Sequence, residues 1–229
     1  MTTFLLLPGA GGEAEHLLPL ARALQAGGHR ATAVDLPVDD EAIGWSDLAD
    51  LAARPLQDQG SDDRSSTAVV VVALSMGAFL APLVCSRTRV DRIVLVNPMV
   101  PAPGESAGQW WADTGHADAR AAAGLGPFDA VEDFFHDVPA DVRERLVGRP
   151  GRSQSERSFA EPWPLDVWPD VPTHVVQGDD DRLFPVAFQR RVTRDRLGVD
   201  VHVVPGGHLL PLSRPDALAE VLLGFGSAE

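Results

Sequence analysis

The sequence has no lysine, no tyrosine and one cysteine, and none of its apolar runs approaches the ~18 residues of a membrane-spanning helix. Each scarcity removes a class of chemistry. Without lysine there is no Schiff base and no phosphate-loop lysine. A single cysteine excludes disulfide frameworks, zinc ribbons and CxxC redox pairs. No HExxH or comparable spacing relates the seven histidines, so no metal and no cofactor is expected. Positive charge is scarce too, with 19 basic against 33 acidic residues and a formal charge of −14. Nucleic acid, anionic membranes and other polyanions would be repelled. The N-terminal MTTFLLLPGAGG has no basic residue before its short apolar run and reads as a strand rather than a secretory signal. The expectation is a cytoplasmic protein, monomer or homodimer, acting on a small molecule. With 229 residues, one domain spanning 1–229 is expected.

Short Val/Leu/Ile runs punctuate the chain: Thr3 to Leu7, Ala31 to Asp35, Ala68 to Leu74, Arg92 to Val96, Thr173 to Gln177 and Asp200 to Val204. Their nearly continuous apolar character suits parallel strands buried on both faces. Helical spacing fills the intervals at 15–25, 46–57, 76–86, 186–197 and 215–225, with Ser46 and Ser213 as expected N-caps. Residues 60–67 form a polar loop. Alternation of this kind predicts an α/β fold, a doubly wound, mostly parallel sheet of about six strands. One stretch breaks the rhythm. From about 98 to 172, after the fourth strand run, no strand appears, and four of the five tryptophans gather there. An aromatic-rich excursion of this length predicts an ordered helical lid.

The chemistry concentrates at the carboxyl ends of the strand runs. Ala73-Leu74-Ser75-Met76-Gly77 lies between a strand and a helix, with small residues two positions either side of the serine. A serine there either caps the helix or is a nucleophile, with the Met76 N–H aimed at an oxyanion. A nucleophilic serine needs a base and an orienting carboxylate. Asp179, Asp180 and Asp181 follow the fifth run, and His208 follows the sixth in a Gly-rich loop. Leu7 to Gly12 (LPGAGG) follows the first run. Its Gly9 permits close approach of a ligand, and the loop offers a further N–H. It lacks both GxGxxG and GxxxxGK[ST], so it is no phosphate cradle.

Together these elements resemble the α/β-hydrolase superfamily, and in particular its small methylesterase and hydroxynitrile-lyase-like group. The likeness covers nearly the whole chain. It implies Ser75 as nucleophile, Asp181 as the acid (three residues after Gly178), His208 as base, and Ala10 and Met76 as oxyanion donors. Two departures stand out: Ala73 replaces the first glycine of G-x-S-x-G, and Pro8 replaces the usual histidine before Gly9. The family usually has two strands ahead of that point, so the expected sheet is minimal, and residues 98–172 fall where the family inserts its cap. The implied activity is hydrolysis of a small, largely uncharged carboxylic ester through an acyl-enzyme. The alternatives are a lyase, a C–C hydrolase, a thioesterase or cyclase, or a non-catalytic receptor. Lyases of this group commonly use a lid cation, often lysine, which this chain lacks; an arginine or His136 would have to serve.

Trp110, Trp111, Phe134, Phe135, Trp163 and Phe184 either line the pocket or form the lid's own core. His116 and His136 either touch substrate or lie on the lid surface. His16 reads as a helix-start residue facing solvent or the edge of the site, while His29, His174 and His202 read as structural. Cys85 reads as a small buried hydrophobe.

Overall fold

The computed structural model describes residues 1–58 and 67–225; apart from Thr67, the polar stretch 60–67 lies outside the described residues. Six strands form one parallel sheet: β1 Thr2–Leu7, β2 Arg30–Ala33, β3 Ala68–Leu74, β4 Arg92–Val96, β5 Thr173–Gly178 and β6 Val201–Val204. Their order is β2-β1-β3-β4-β5-β6. The helices are α1 Leu18–Ala26, α2 Trp45–Gln57, α3 Ala81–Cys85, α4 Ala107–Asp113, α5 His116–Ala122, α6 Ala130–Phe135, α7 Ala140–Val147, α8 Glu156–Ala160, α9 Val186–Leu197, α10 Leu210–Ser213 and α11 Pro215–Gly224.

The strands read as unbroken apolar runs because both faces of the sheet are covered. Successive side chains alternate sides. Leu5, Leu7, Val71, Ala73, Ile93 and Leu95 join one core with residues of α2, α3 and α9. Phe4, Leu6, Val70, Val72, Val94 and Val96 join the other with residues of α1 and α11. The chain between β4 and β5 carries α4 to α8 and reaches both cores. Its Trp110 and Trp163 belong to the first, its Val138 and Leu146 to the second.

Local starts differ from expectation in three places. Ser46 is not a cap, since α2 begins one residue earlier. The Gly44 N–H donates to Asp47 Oδ2 (3.0 Å) and the Trp45 N–H to Glu161 Oε2 (3.1 Å). A carboxylate from the far side of the chain thus replaces the local hydroxyl. Ser213 instead closes α10, its buried hydroxyl has no hydrogen-bond partner among the described residues, and α11 starts on Pro215. The helix expected at 76–86 splits into a 3-10 turn, Ser75–Phe79, and α3 with Pro82 in its first turn.

The strand order reverses direction between β1 and β3, and open α/β sheets bind ligands at such a switch, beyond the strands' carboxyl ends. Leu7 of β1 pairs in register with Ala73 of β3. The residues that follow, Pro8 to Gly12 and Ser75 to Gly77, are therefore side by side.

Candidate active site

Ser75 leaves β3 with φ 51°, one of two non-glycine residues with positive φ among those described. This left-handed conformation costs roughly 1–2 kcal/mol for an L-residue. Two tight approaches enforce it. A Cβ on Gly77 would lie 2.6 Å from the Pro8 carbonyl oxygen, and one on Gly9 would lie 3.2 Å from the Ser75 Cβ. The Met99 N–H donates to the Ser75 carbonyl (3.0 Å) and ties the turn to the segment after β4. Neither the Ala10 nor the Met76 N–H has an acceptor among the described residues.

Asp181 sits beyond β5 and His208 beyond β6, both buried. Asp181 Oδ2 is 2.9 Å from His208 Nδ1. Its Oδ1 accepts from the Leu183 (2.8 Å) and Phe184 (2.9 Å) N–H groups, and Gln177 Nε2 reaches Oδ2 at 3.3 Å. A carboxylate on Nδ1 holds the proton there and leaves the Nε2 lone pair free. The imidazole lies between the rings of Phe134 (5.1 Å between centroids) and Phe184 (5.2 Å). Asp179 and Asp180 are exposed as expected, yet each holds a contact. Asp179 Oδ1 accepts from the Gly206 N–H (2.9 Å), and Asp180 Oδ2 meets His136 Nε2 (3.1 Å).

Ser75 and His208 open onto one cleft with about 440 Å³ of empty space, lined also by Gly9, Ala10, His16, Phe134 and Phe135, with Leu74 and Leu209 completing it. Ser75 Oγ makes no hydrogen bond among the described residues, so the link to His208 is open in this conformation. Such links often tighten only when substrate is bound. A narrow recess of about 20 Å³, room for little more than a water molecule, shares Gly9 and is walled by Leu36, Val38, Trp45, Met76 and Leu80.

The structure separates the expected pocket residues into two groups. Gly9, Phe134 and Phe135 face the cleft, whereas Trp110, Trp111, His136 and Phe184 do not line it. Trp110 and Phe184 are fully buried, and Trp111 packs against both. The Phe184 ring reaches the site at the His208 imidazole, and its N–H at Asp181. His136 is held by Asp180 over Gly207, where a Cβ would lie 2.5 Å from its Cε1. His116 is enclosed by Trp110, Trp111 and Phe184, its Nε2 donating to the Leu183 carbonyl (2.8 Å). Burial pushes the Cys85 thiol up to about 11, which leaves it un-ionised and unreactive. Among the described residues no three His, Cys, Asp or Glu side chains are grouped to hold a metal. No helix there is long and apolar enough to cross a membrane.

Two contributors escaped the sequence reading. Asn97, fully buried with φ 45°, donates to the Gly207 (3.1 Å) and His208 (2.7 Å) carbonyls and accepts from the Gly178 N–H (2.8 Å). It fastens the loops that carry Asp181 and His208 together from the end of β4. The Asn-Pro pair after a strand was the available signal. Asp137 Oδ2 accepts from the Gly207 N–H (2.8 Å), a contact that no local pattern announces. Of the two placements expected for His16, solvent or the edge of the site, the structure shows the second, with the ring lining the cleft.

A model of the alpha/beta hydrolase family matches residues 4–221, and the chain belongs to that family. No curated protein matches the chain significantly. Solved structures with the same fold include a pyrethroid hydrolase from Sphingobium faniae JZ-2, 21% identical with a TM-score of 0.73, covering 99% of this chain and 98% of that one. Polyneuridine aldehyde esterase is 18% identical with a TM-score of 0.77, covering 99% of each chain. A methylesterase from Arabidopsis is 18% identical with a TM-score of 0.75 and the same coverage.

Proposed function

We propose that this chain is a serine hydrolase that cleaves a small, largely uncharged carboxylic ester. The observation that carries the reading is the 2.9 Å contact between Asp181 Oδ2 and His208 Nδ1, in a cleft shared with Ser75 at a strained turn. In this reading His208 Nε2 removes the Ser75 proton as Oγ attacks the ester carbonyl. Asp181 orients the imidazole and stabilises its cation. The Ala10 and Met76 N–H groups donate to the oxyanion that forms, and donors so placed are typically worth about 3–4 kcal/mol each. His208 then protonates the leaving alcohol, and water releases the acyl group by the same route. The helices between β4 and β5 act as the lid, supplying Phe134 and Phe135. A lyase route through a His136 cation has no support, because that side chain is turned onto Gly207 and Asp180.

The test is a fluorophosphonate probe together with p-nitrophenyl acetate. Ser75 is expected to be labelled, and Ser75→Ala to lose at least about 10⁴-fold in kcat with an unchanged circular dichroism spectrum. Undiminished turnover by a folded Ser75→Ala variant overturns the assignment.

A further inference from the structure

One imidazole in the cleft has no part in this mechanism. His16 lies in the 3-10 turn Ala14–Leu17 that follows the first loop, and its side chain is 18% exposed. It shares the cleft with Ser75, Phe134 and Leu209, and its ring meets Phe135 edge-on at 6.3 Å. Glu13 Oε2 stands 3.7 Å from its Nε2, beyond hydrogen-bonding range. Arg149 holds that carboxylate in turn (3.4 Å). Neither ring nitrogen hydrogen-bonds to a described residue.

Burial, the leading influence, lowers the His16 pKa against the opposing pull of Glu13, while Arg149 lowers it further. The ring is therefore neutral at pH 7. A carboxylate beside Nε2 favours the tautomer with the proton on that nitrogen, which leaves Nδ1 as an acceptor. An acceptor on a cleft-lining ring, with no partner among the described residues, is open to a donor on a bound ligand. His116 supplies the contrast: it is also an imidazole among aromatic rings, but its hydrogen bond to Leu183 is already made.

From this placement we infer that His16 reads a hydroxyl on the substrate, so that the preferred esters carry a hydroxyl group on the part that fills the Phe135 side of the cleft. The inference rests on the ester-hydrolase reading above and names the substrate class within it.

Two matched pairs of esters test it: methyl mandelate against methyl phenylacetate for a hydroxyl on the acyl side, and 3-hydroxybutyl acetate against butyl acetate for one on the alcohol side. The wild type is expected to favour the hydroxylated member of one pair by about tenfold in kcat/KM, the scale of one well-made hydrogen bond. His16→Leu should bring that ratio down toward one. His16→Gln, which keeps an acceptor, should retain part of it. Intrinsic differences between the esters cancel when the ratios of two enzyme forms are compared. A wild type without preference in either pair overturns the inference even if His16→Leu fails to fold, and so does a ratio that His16→Leu leaves unchanged. Turnover without preference removes this inference alone. Absence of both ester turnover and Ser75 labelling removes the hydrolase reading and this one with it.

Discussion

Two clusters in this molecule have nearly the same composition and opposite fates. One gathers Trp110, Trp111, His116, Phe184 and Phe188; the other gathers His16, Phe134 and Phe135 beside His208. Both combine aromatic rings with a histidine, and both draw on the chain between β4 and β5. The first is sealed: Trp110 has no exposed surface, and its Nε1 donates to the Val100 carbonyl (2.8 Å). The second is half-buried and faces the candidate nucleophile. The difference lies in what each packs against. Behind Trp110 stand Phe188 of α9 and the loop after Asp181, which leave that ring no open face; Trp111, at the cluster's edge, is half-buried. Beyond Phe135 stand His16 and empty space. Aromatic content therefore marks an ordered segment, and only the opposing surface decides between core and pocket.

The sharpest way to break this comparison is to truncate one ring on each side. Trp110→Ala should cost about 3–5 kcal/mol of stability, a fall of roughly 10 °C in Tm for a chain of this size. Ester turnover by the folded fraction should change far less. Phe135→Ala should do the reverse, raising KM for aromatic esters roughly tenfold, the value of one partly buried ring, with little change in Tm. Thermal unfolding and ester kinetics on both variants decide the matter. A Trp110→Ala protein of unaltered Tm and weakened substrate binding would move the sealed cluster into the pocket.

These two truncations also locate where sequence reading stops. All six strand runs correspond to strands, because burial on both faces leaves continuous apolar segments with turn residues between them. The elbow was equally legible, since its close approaches demand small residues at fixed offsets from Ser75, and Gly77 shows the reason at 2.6 Å from Pro8. Trp110 and Phe135 were not separable. Helical spacing places each residue on a face but says nothing of what that face meets, and the partners of Trp110 lie across the chain at Phe184 and Phe188. Asn97 and Asp137 were missed for a related cause. Each acts by hydrogen-bonding the backbone of a distant loop, and a backbone amide has no residue type to recognise. The cap misjudged at Ser46 has the same origin, the Glu161 carboxylate overriding the nearest hydroxyl, whereas Ser213 closes α10 and α11 starts on Pro215 with no side-chain cap.

The finest test compares the two histidines through pH. Burial lowers the His116 pKa; the hydrogen bond to Leu183 and the carboxylates of Asp181 and Asp133 raise it in part, and Arg120 lowers it. A folded-state pKa below the unfolded value of about 6.5 means that the unfolded chain takes up a proton first as pH falls. Stability therefore falls as pH drops from about 6.5 toward the lowered value, with a slope no steeper than about 1.4 kcal/mol per pH unit for one group. His16 is shifted the same way and adds the same sign. His116→Phe removes this proton linkage but strands the buried Leu183 carbonyl, at a cost of about 1–3 kcal/mol. Its deficit against the wild type should thus be largest at pH 7.5 and narrow by pH 5.5, measured by urea unfolding at both values. His16→Phe abandons no carbonyl, so it should cost little at pH 7.5 and gain on the wild type at pH 5.5. A His116→Phe deficit that stays constant or widens on acidification would mean that the sealed imidazole carries its proton in the folded state, and the distinction drawn between the two histidines would then rest on geometry alone.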